Sequence, residues 1–572
     1  STTLLTDRCL IDDRAAIDNF LAETLVAHEL AHQWFGDLVV IKHWSHAWVK
    51  EGAATYAEVL WLTHEYSSDL GRYYWLGQAR EYLDEDSSRY RRPLVTHVYR
   101  EAIELYDRHI YEKGACVYHM MRTELGDELF FKSMATFLHD NAHNTVETID
   151  LLRAVEKTTG RNLSFLFDQY VYRGGHPDYK VEYSWDNDSK LAKVAVTQTQ
   201  VNDGETDGLF DLKIPIGFTT NTVNKTFTVR IHQREQAFYF PLESKPDFVS
   251  FDVGNNTLKT VELAYPLPEL SAQLVQDPDC LSRLNAAAAI AKKGNLEALK
   301  TLEKALSTEV FWGVRLEIVE AIATIKLDQV GPVLINALQD PESRVRRAAI
   351  IALADQKTAA AYQSVKALVE TGDPSYTTES SAIAALGTFA MSGLPDAPDE
   401  SEVLGILKSV LETRDGWNQV VRSGAISALS KMKTSSAALE LLQTYTNPDI
   451  PQSLRLAAIR ALGVISTGQT APQLEQILNR LRELSCDRFF FTQLAVISSL
   501  GQMETTKAIP LLNSFVNLPD GRVKRMAEEA IQRVQSKSGN DASVKQLREE
   551  LDSLKKDNKT LTSRLEALEA KG

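Results

Sequence analysis

The stretch HELAHQWFG, residues 28–36, contains the pattern H-E-x-x-H within a run that has no proline or glycine from 23 to 35. Such a run predicts a helix that Gly36 ends. Side chains four positions apart leave the same face of a helix, so the imidazoles of His28 and His32 can bind one metal ion. Glu29 is offset around the helix, toward the side of that ion where a water molecule would lie. Two hydrogen-bonded histidines in an ordinary helix core would also satisfy this short pattern.

A carboxylate downstream completes a set of zinc ligands. Glu51 follows His32 after 18 intervening residues and belongs to a second helix-like stretch, residues 47–62. Catalytic zinc takes three protein ligands and keeps a fourth position for water. The pattern H-E-x-x-H-x18-E therefore predicts one zinc ion per chain, bound by His28, His32 and Glu51.

With this pattern the chain resembles the gluzincin metallopeptidases, and in particular the aminopeptidase N family. Residues 28–39 (HELAHQWFGDLV) match the family block H-E-x-x-H-x-W-x-G-[ND]-x-V, and residues 111–115 (YEKGA) match Y-x-K-G-A. Residues 48–54 (WVKEGAA) resemble W-L-N-E-G-F-A and depart from it at three positions: Val49, Lys50 and Ala53. The resemblance is specific over residues 22–178.

The resemblance implies a zinc-dependent aminopeptidase that acts on peptide substrates. In that family the residue matching Glu29 is the general base, and the one matching Tyr111 stabilises the oxyanion of the transition state. His43 and His46 match no ligand of the family and are expected at the surface or the cleft wall, while His109 is expected to line the pocket. Residues 173–177 (RGGHP) resemble the turn that closes the catalytic domain, where glycine and proline set the backbone geometry.

The family binds the free amine of its substrate with a G-x-M-E-N motif, which does not occur in this sequence. By family spacing the motif would precede Ser1, so we expect the chain to be a fragment of a longer protein. We further expect weak peptidase activity from this chain alone, or a need for the N-terminal portion in trans.

Two other functions stay open. The chain could be a protein-interaction scaffold with weak or no catalysis, because helical repeats commonly bind partners along a concave surface. It could also be a related gluzincin hydrolase, such as an endopeptidase or an epoxide hydrolase, because the amine-binding motif is not found.

The order of patterns predicts a multidomain, mainly α protein with four segments. Residues 1–178 carry all the chemical motifs and are expected to form a thermolysin-like helical catalytic domain. Residues 179–263 contain short runs of Val, Ile, Phe and Thr separated by turn residues, which predict a small antiparallel β-sandwich. Residues 264–539 repeat an Ala/Ile/Leu-rich helix, which predicts a HEAT-like α-solenoid, with a plain helical bundle as the alternative.

Residues 540–572 form a tail with heptad spacing. Leucine occupies each d position (Leu547, Leu554, Leu561, Leu568), and Asn558 stands at an a position. A lone Asn at an a position favours a parallel two-stranded coiled coil, so we expect a homodimer through this tail. The alternative is a helix that folds back on the repeats of its own chain.

Composition narrows the class of protein further. The 572 residues are 44% hydrophobic and 24% charged, and their length suggests three or four domains. The net charge of −15 argues against nucleic-acid partners, and no apolar run is long enough to predict a membrane span. Four widely spaced cysteines form no C-x-x-C pair and favour a reducing compartment, so we expect a cytoplasmic protein.

Overall fold

The computed structural model describes residues 3–201, 208–220, 223–393 and 397–538, together with Leu554. The chain divides into two compact units, Ser1–Ala382 and Ile383–Gly572. The predicted coiled-coil tail lies outside the described residues except for Leu554, so the tail and the homodimer stay predictions. Within the described ranges, no helix is both long and apolar enough to cross a membrane.

The first unit begins with a helical region. Its α-helices are α1 Leu21–Ala31, α2 Trp48–Glu65, α3 Ser68–Ser88, α4 Gly114–Leu125, α5 Asp127–Asp140, α6 Thr148–Thr159 and α7 Ser164–Tyr170. A π-helix, His109–Lys113, leads directly into α4. Two short strands, β1 Val40–Ile41 and β2 Thr145–Val146, pair in parallel.

The metal-motif helix ends earlier than predicted. α1 stops at Ala31, and the backbone N–H groups of Asp37, Leu38 and Val39 then bond carbonyls five residues back. Gly36 has φ of +140°, which residues with a side chain rarely adopt, and this lets the chain turn back toward α2. His32 keeps right-handed helical geometry at the C-cap, so its relation to His28 is preserved.

Helix α2 is central to the region, because it packs against α1, α3 and α4. Its closest approach to α4 is at two glycines. A Cβ added to Gly52 would lie 2.8 Å from the backbone of Gly114, nearer than any side chain can be placed. Since Gly52 follows Glu51 and Gly114 follows the π-helix, this crossing brings the predicted metal ligand beside the turn that carries Tyr111.

The β region consists of two facing sheets. Its strands are β3 Asp178–Asp186, β4 Leu191–Gln198, β5 Leu212–Thr219, β6 Asn224–Ile231, β7 Glu235–Pro241, β8 Phe248–Phe251 and β9 Thr260–Ala264. The strand orders are β7-β4-β3-β9 and β6-β5-β8. Aromatic contacts such as Tyr179 with Phe251 and Phe218 with Phe240 join the sheets. The predicted sandwich is confirmed, with the difference that β9 pairs with β3 in parallel, because the chain returns to β3 only after crossing the second sheet.

The rest of the described chain is helical. The first unit continues with α8 Leu267–Gln276, α9 Cys280–Ala291, α10 Leu296–Thr308, α11 Trp312–Thr324, α12 Val330–Ala337, α13 Ser343–Gln356, α14 Ala359–Thr371 and the start of α15 Tyr376–Ala390. The second contains α16 Glu400–Thr413, α17 Val420–Lys431, α18 Ser436–Thr444, α19 Gln452–Ile465, α20 Ala471–Leu484, α21 Phe490–Gln502, α22 Ile509–Val516 and α23 Gly521–Ser538.

These helices stack as repeating pairs, as predicted. In the first unit α9, α11 and α13 pack in succession, and in the second unit α17, α19, α21 and α23 do the same. Recurrent arginines join neighbouring pairs: Arg315 binds both carboxylate oxygens of Asp340 at 2.9 and 3.0 Å. Arg346 binds Asp373 in the same way, at 2.8 Å to each oxygen. Arg315 and Arg346, each near the start of the second helix of its pair, therefore have a structural role.

The segment just before α1 is bound to the repeats within the first unit. The Asp18 carboxylate is almost fully buried, and its Oδ2 accepts hydrogen bonds from Ser375 and Thr377, each at 2.7 Å. Arg347 lies 3.3 Å from the same oxygen and supplies a compensating charge. The helical repeats thus anchor the chain ten positions before the first histidine of the metal motif.

Candidate metal centre

Three side chains from two helices converge at the end of α1. His28 and His32 come from α1 and its C-cap, and Glu51 comes from the first turn of α2. Glu51 Oε2 lies 3.6 Å from His28 Nε2 and 3.2 Å from His32 Nε2. One ligand atom from each residue lies within 4.8 Å of the other two. We call this set the metal cluster.

The outer nitrogens of both histidines are held by other groups. His28 Nδ1 lies 2.8 Å from Glu58 Oε1, and Glu58 in turn accepts a hydrogen bond from the hydroxyl of Tyr74. His32 Nδ1 lies 2.8 Å from the carbonyl oxygen of Phe35, in the turn that follows α1. An acceptor at Nδ1 fixes the proton there and leaves Nε2 as the donor atom for a metal. Both rings are therefore oriented toward Glu51.

The cluster favours positive charge. Burial alone would lower the pKa of His28, but hydrogen bonds to Glu51 and Glu58 outweigh it and raise that pKa to about 9. Burial likewise opposes ionisation of Glu51, yet its contacts with His28, His32 and Lys50 lower the pKa of the carboxyl well below its usual range. A buried site that stabilises a cation in this way can exchange a proton for a metal ion.

Zinc fits the residues present. Two imidazole nitrogens and one carboxylate oxygen are the donor set of many catalytic zinc sites, which leave one position for water. The orientation of both Nε2 atoms and the low pKa of the Glu51 carboxyl direct these three donor atoms toward one point. His28, His32 and Glu51 are thus the residues that would hold the ion.

Tyr111 lies beside the cluster, on the π-helix. Its ring centroid is 6.0 Å from that of His28 and 6.2 Å from that of Tyr106. Burial, and next to it the negative charge of Glu51, raise the pKa of Tyr111 far above its usual value. The hydroxyl therefore keeps its proton at neutral pH and can donate a hydrogen bond. Glu29 is half-buried on α1, close enough for its charge to contribute to the same shift.

The sequence of the helical region matches a known family. Residues 1–170 match the family model described as the Peptidase family M1 domain. After this match we call residues 1–170 the M1 domain. Residues 267–354 and 309–387 match the model described as HEAT repeats, which confirms the repeat type expected for the stacked helices.

Several curated proteins that are similar to this region are named as aminopeptidases. Aminopeptidase M1 of Arabidopsis thaliana is 34% identical over 165 residues, which is 28% of this chain and 19% of that protein. Leucyl aminopeptidase of Saccharolobus solfataricus is 29% identical over 186 residues, 32% of this chain and 23% of that protein. Puromycin-sensitive aminopeptidase of Caenorhabditis elegans is 24% identical over 306 residues, 50% of this chain and 32% of that protein. The chain thus spans between about a fifth and a third of the length of these relatives.

A solved structure shares the fold. The crystal structure of Legionella pneumophila aminopeptidase A in complex with aspartic acid aligns with a TM-score of 0.59 and 16% identity. The alignment covers 89% of this chain and 66% of that one. At this identity the similarity shows an aminopeptidase-like fold and nothing about the substrate.

The other histidines of the M1 domain lie outside the metal cluster. His43 Nδ1 bonds the hydroxyl of Ser45 at 2.7 Å, and His46 Nδ1 bonds the hydroxyl of Thr148 at 3.0 Å. His109 is fully buried, so the expectation that it lines the pocket is wrong. Its ring stacks on Tyr90 behind the π-helix, because the turn that brings Tyr111 to the cluster directs His109 into the protein core.

Two residues around the metal cluster were not found from the sequence. Glu58 stands seven positions after Glu51 on α2, about two helical turns, so it returns to the same face. That spacing is a signal the sequence does contain. Tyr74 comes from α3, a different helix, and no local pattern connects it to the motif.

Proposed function

We propose that the M1 domain of this chain is the catalytic part of a zinc-dependent aminopeptidase, which hydrolyses the first peptide bond of peptides with a free N-terminus. The convergence of His28 Nε2, His32 Nε2 and Glu51 Oε2 carries this proposal. The matching domain family and the aminopeptidase relatives support it.

Each group has a distinct role in the proposed reaction. When bound, zinc would polarise the scissile carbonyl and lower the pKa of a water molecule. Glu29 accepts the proton of the attacking water and later delivers it to the leaving amine. Tyr111 donates its hydroxyl hydrogen to the carbonyl oxygen as negative charge develops there. Glu58 and the Phe35 carbonyl hold the two imidazoles in place.

The role of Glu29 has a direct test. Glu29→Gln keeps the shape of the side chain but cannot accept a proton, so turnover of amino-acid anilides should fall about 10²–10⁴-fold while zinc content is retained. Glu23→Gln is the matched control, because Glu23 lies on the same helix and bonds Trp61 and Tyr66 instead. Equal turnover of the Glu29 variant and the unmodified protein would rule out Glu29 as the base.

The substrate class is tested with the same preparations. In a preparation that is active, with the N-terminal portion supplied in trans where it is needed, peptides with a free N-terminus should be cleaved and their N-acetylated forms should not. Cleavage of both at similar rates would favour an endopeptidase and overturn the aminopeptidase assignment. The need for an N-terminal portion in trans stays a prediction, which assays with and without a longer N-terminal segment would check.

A further inference from the structure

Lys50 occupies a position that the proposed mechanism does not use. It immediately precedes Glu51 and departs from the family block, which has Asn at this place. Its ammonium Nζ lies 2.5 Å from Glu51 Oε1, while Glu51 Oε2 faces the two histidines. The two oxygens of the Glu51 carboxylate therefore have different surroundings. Oε1 contacts the ammonium of Lys50, and Oε2 points into the metal cluster.

The Lys50 side chain is held in place by its surroundings. It is only 22% exposed, and its ammonium lies 5.6 Å from the ring centroid of Tyr106, a favourable distance for a cation over an aromatic face. A Cβ added to Gly36 would lie 3.8 Å from Lys50 Cδ, so the stem of the side chain runs beside the turn that follows His32. The contact with Glu51 is thus supported from both sides.

A carboxylate can bind a metal ion through one oxygen or through both. A charge-assisted hydrogen bond to one oxygen is short and strong, and it removes that oxygen from competition for the metal. Groups that bond to metal ligands in this way typically change metal affinity by about 10–100-fold. Asn at this position could donate a hydrogen bond but would bring no charge.

We propose that Lys50 is a positioning residue, which holds Glu51 Oε1 and restricts Glu51 to binding zinc through Oε2 alone. This inference rests on the proposed metal site. Lys50 holds the carboxylate against rotation, so that a bound ion would keep positions for water and for the substrate carbonyl.

Zinc affinity tests the proposal without reference to activity. Competition with a chelator should show about a 10–100-fold loss of affinity for Lys50→Met, which keeps the stem but removes the charge and the donor. Lys50→Arg should recover most of the loss because it restores a cationic donor. Lys42→Met is the matched control, since Lys42 is a largely exposed lysine paired with Glu147 in the same domain. Unchanged affinity in Lys50→Met, or no recovery in Lys50→Arg, would overturn the proposal.

Three further measurements separate this role from general stability and from the metal site itself. The cobalt-substituted Lys50→Met protein should show weaker visible absorption than the unmodified one, because a second carboxylate oxygen would raise the coordination number. Identical spectra would overturn the proposal.

Glu51→Ala tests the metal site itself. If that variant binds zinc normally, the proposed metal centre fails, whereas normal binding by Lys50→Met alone rejects only the role of Lys50. The metal-free melting temperature of Lys50→Met should equal that of Lys42→Met within a few degrees, and a much larger fall would assign Lys50 to folding instead.

Discussion

Among the described residues of the M1 domain, two groups of acidic and histidine side chains place their ligand atoms within 4.8 Å of one another, yet they differ in chemistry. The metal cluster is one, and the other consists of Glu85, Asp107 and His109, which we call the His109 cluster. In the metal cluster, the protein cation Lys50 bonds one carboxylate oxygen and leaves the other facing two oriented imidazoles. The outer nitrogen of each imidazole has its own acceptor.

In the His109 cluster the carboxylates are already saturated. Arg92 binds both oxygens of Asp107, at 2.6 and 2.8 Å, and the hydroxyl of Tyr90 adds a third bond. Glu85 Oε2 accepts the backbone N–H of Arg108 at 2.7 Å. The ring of His109 lies between these acids, with Nδ1 3.5 Å from an oxygen of each.

The second cluster holds a histidine that the neighbouring acids keep protonated. Burial disfavours the charged imidazole, but the neighbouring acids Asp107, Asp86 and Glu85 outweigh it and raise the pKa of His109 to about 9. Asp107 also accepts the backbone N–H of His109 at 3.0 Å, at the start of the π-helix that carries Tyr111. We therefore infer that proximity of acids and histidines is not sufficient for a metal site: both oxygens of Asp107 are bound by protein donors, whereas Glu51 Oε2 faces the two histidines.

The largest expected effect is a difference in zinc content between variants of the metal cluster and a variant of the His109 cluster. His28→Ala and Glu51→Ala should each lose most bound zinc, since two ligands rarely hold a catalytic ion. His109→Asn should keep one zinc per chain. Metal analysis of dialysed proteins measures this. Full zinc content in both His28→Ala and Glu51→Ala would contradict the assignment, and a loss of zinc in His109→Asn would remove the contrast between the clusters.

The π-helix carries both His109 of the second cluster and Tyr111, which lies beside the metal cluster. Tyr111→Phe removes only the hydroxyl, so kcat should fall about 10²–10³-fold with zinc content and KM little changed. Steady-state kinetics with an anilide substrate measures the change. Tyr172→Phe is the control, because that ring is 43% exposed. A rate within a few-fold of the unmodified protein would show that Tyr111 does not stabilise the transition state.

The charge on His109 should make stability depend on pH. Its folded-state pKa of about 9 lies above the ordinary value of 6.5, so its stabilising contribution is complete below pH 6.5 and is lost as the pH rises through 9. The contribution is on the order of 2–4 kcal/mol. Urea unfolding between pH 6 and 10 should show this decline in the unmodified protein and a weaker one in His109→Asn. The exposed His139 provides the control variant His139→Asn, and equal pH profiles for all three proteins would contradict the prediction.

The smallest expected effect concerns Asp18, another buried carboxylate of this region. Asp18, like Asp107, is saturated by protein donors, so Asp18→Asn should leave zinc content unchanged. It should lower the free energy of unfolding by about 1–3 kcal/mol, because charged hydrogen bonds to Thr377 and Arg347 are weakened. Urea unfolding measures the change against Asp37→Asn, an exposed aspartate of the same region. A lower zinc affinity in Asp18→Asn would show that the anchor also affects the metal cluster.

The local features of the metal motif, the strands and the stacked helices could be predicted from the sequence alone. The spacing of His28 and His32 requires a shared helix face, and the alternating and repeating apolar patterns specify the strands and the stacked helices. These features follow from neighbours along the chain, so backbone periodicity is enough to predict them. The helix end was misplaced because the turn at Gly36 depends on a backbone conformation that composition alone does not reveal.

The contacts between separate helices could not be predicted in this way, and they are seen only in the folded structure. The contact of Gly52 with Gly114 brings Glu51 to the π-helix, although the two glycines are far apart in sequence. The same packing placed His109 in the core and joined Tyr74 to Glu58. Such contacts depend on the relative positions of separate helices, which the period of a single helix does not specify.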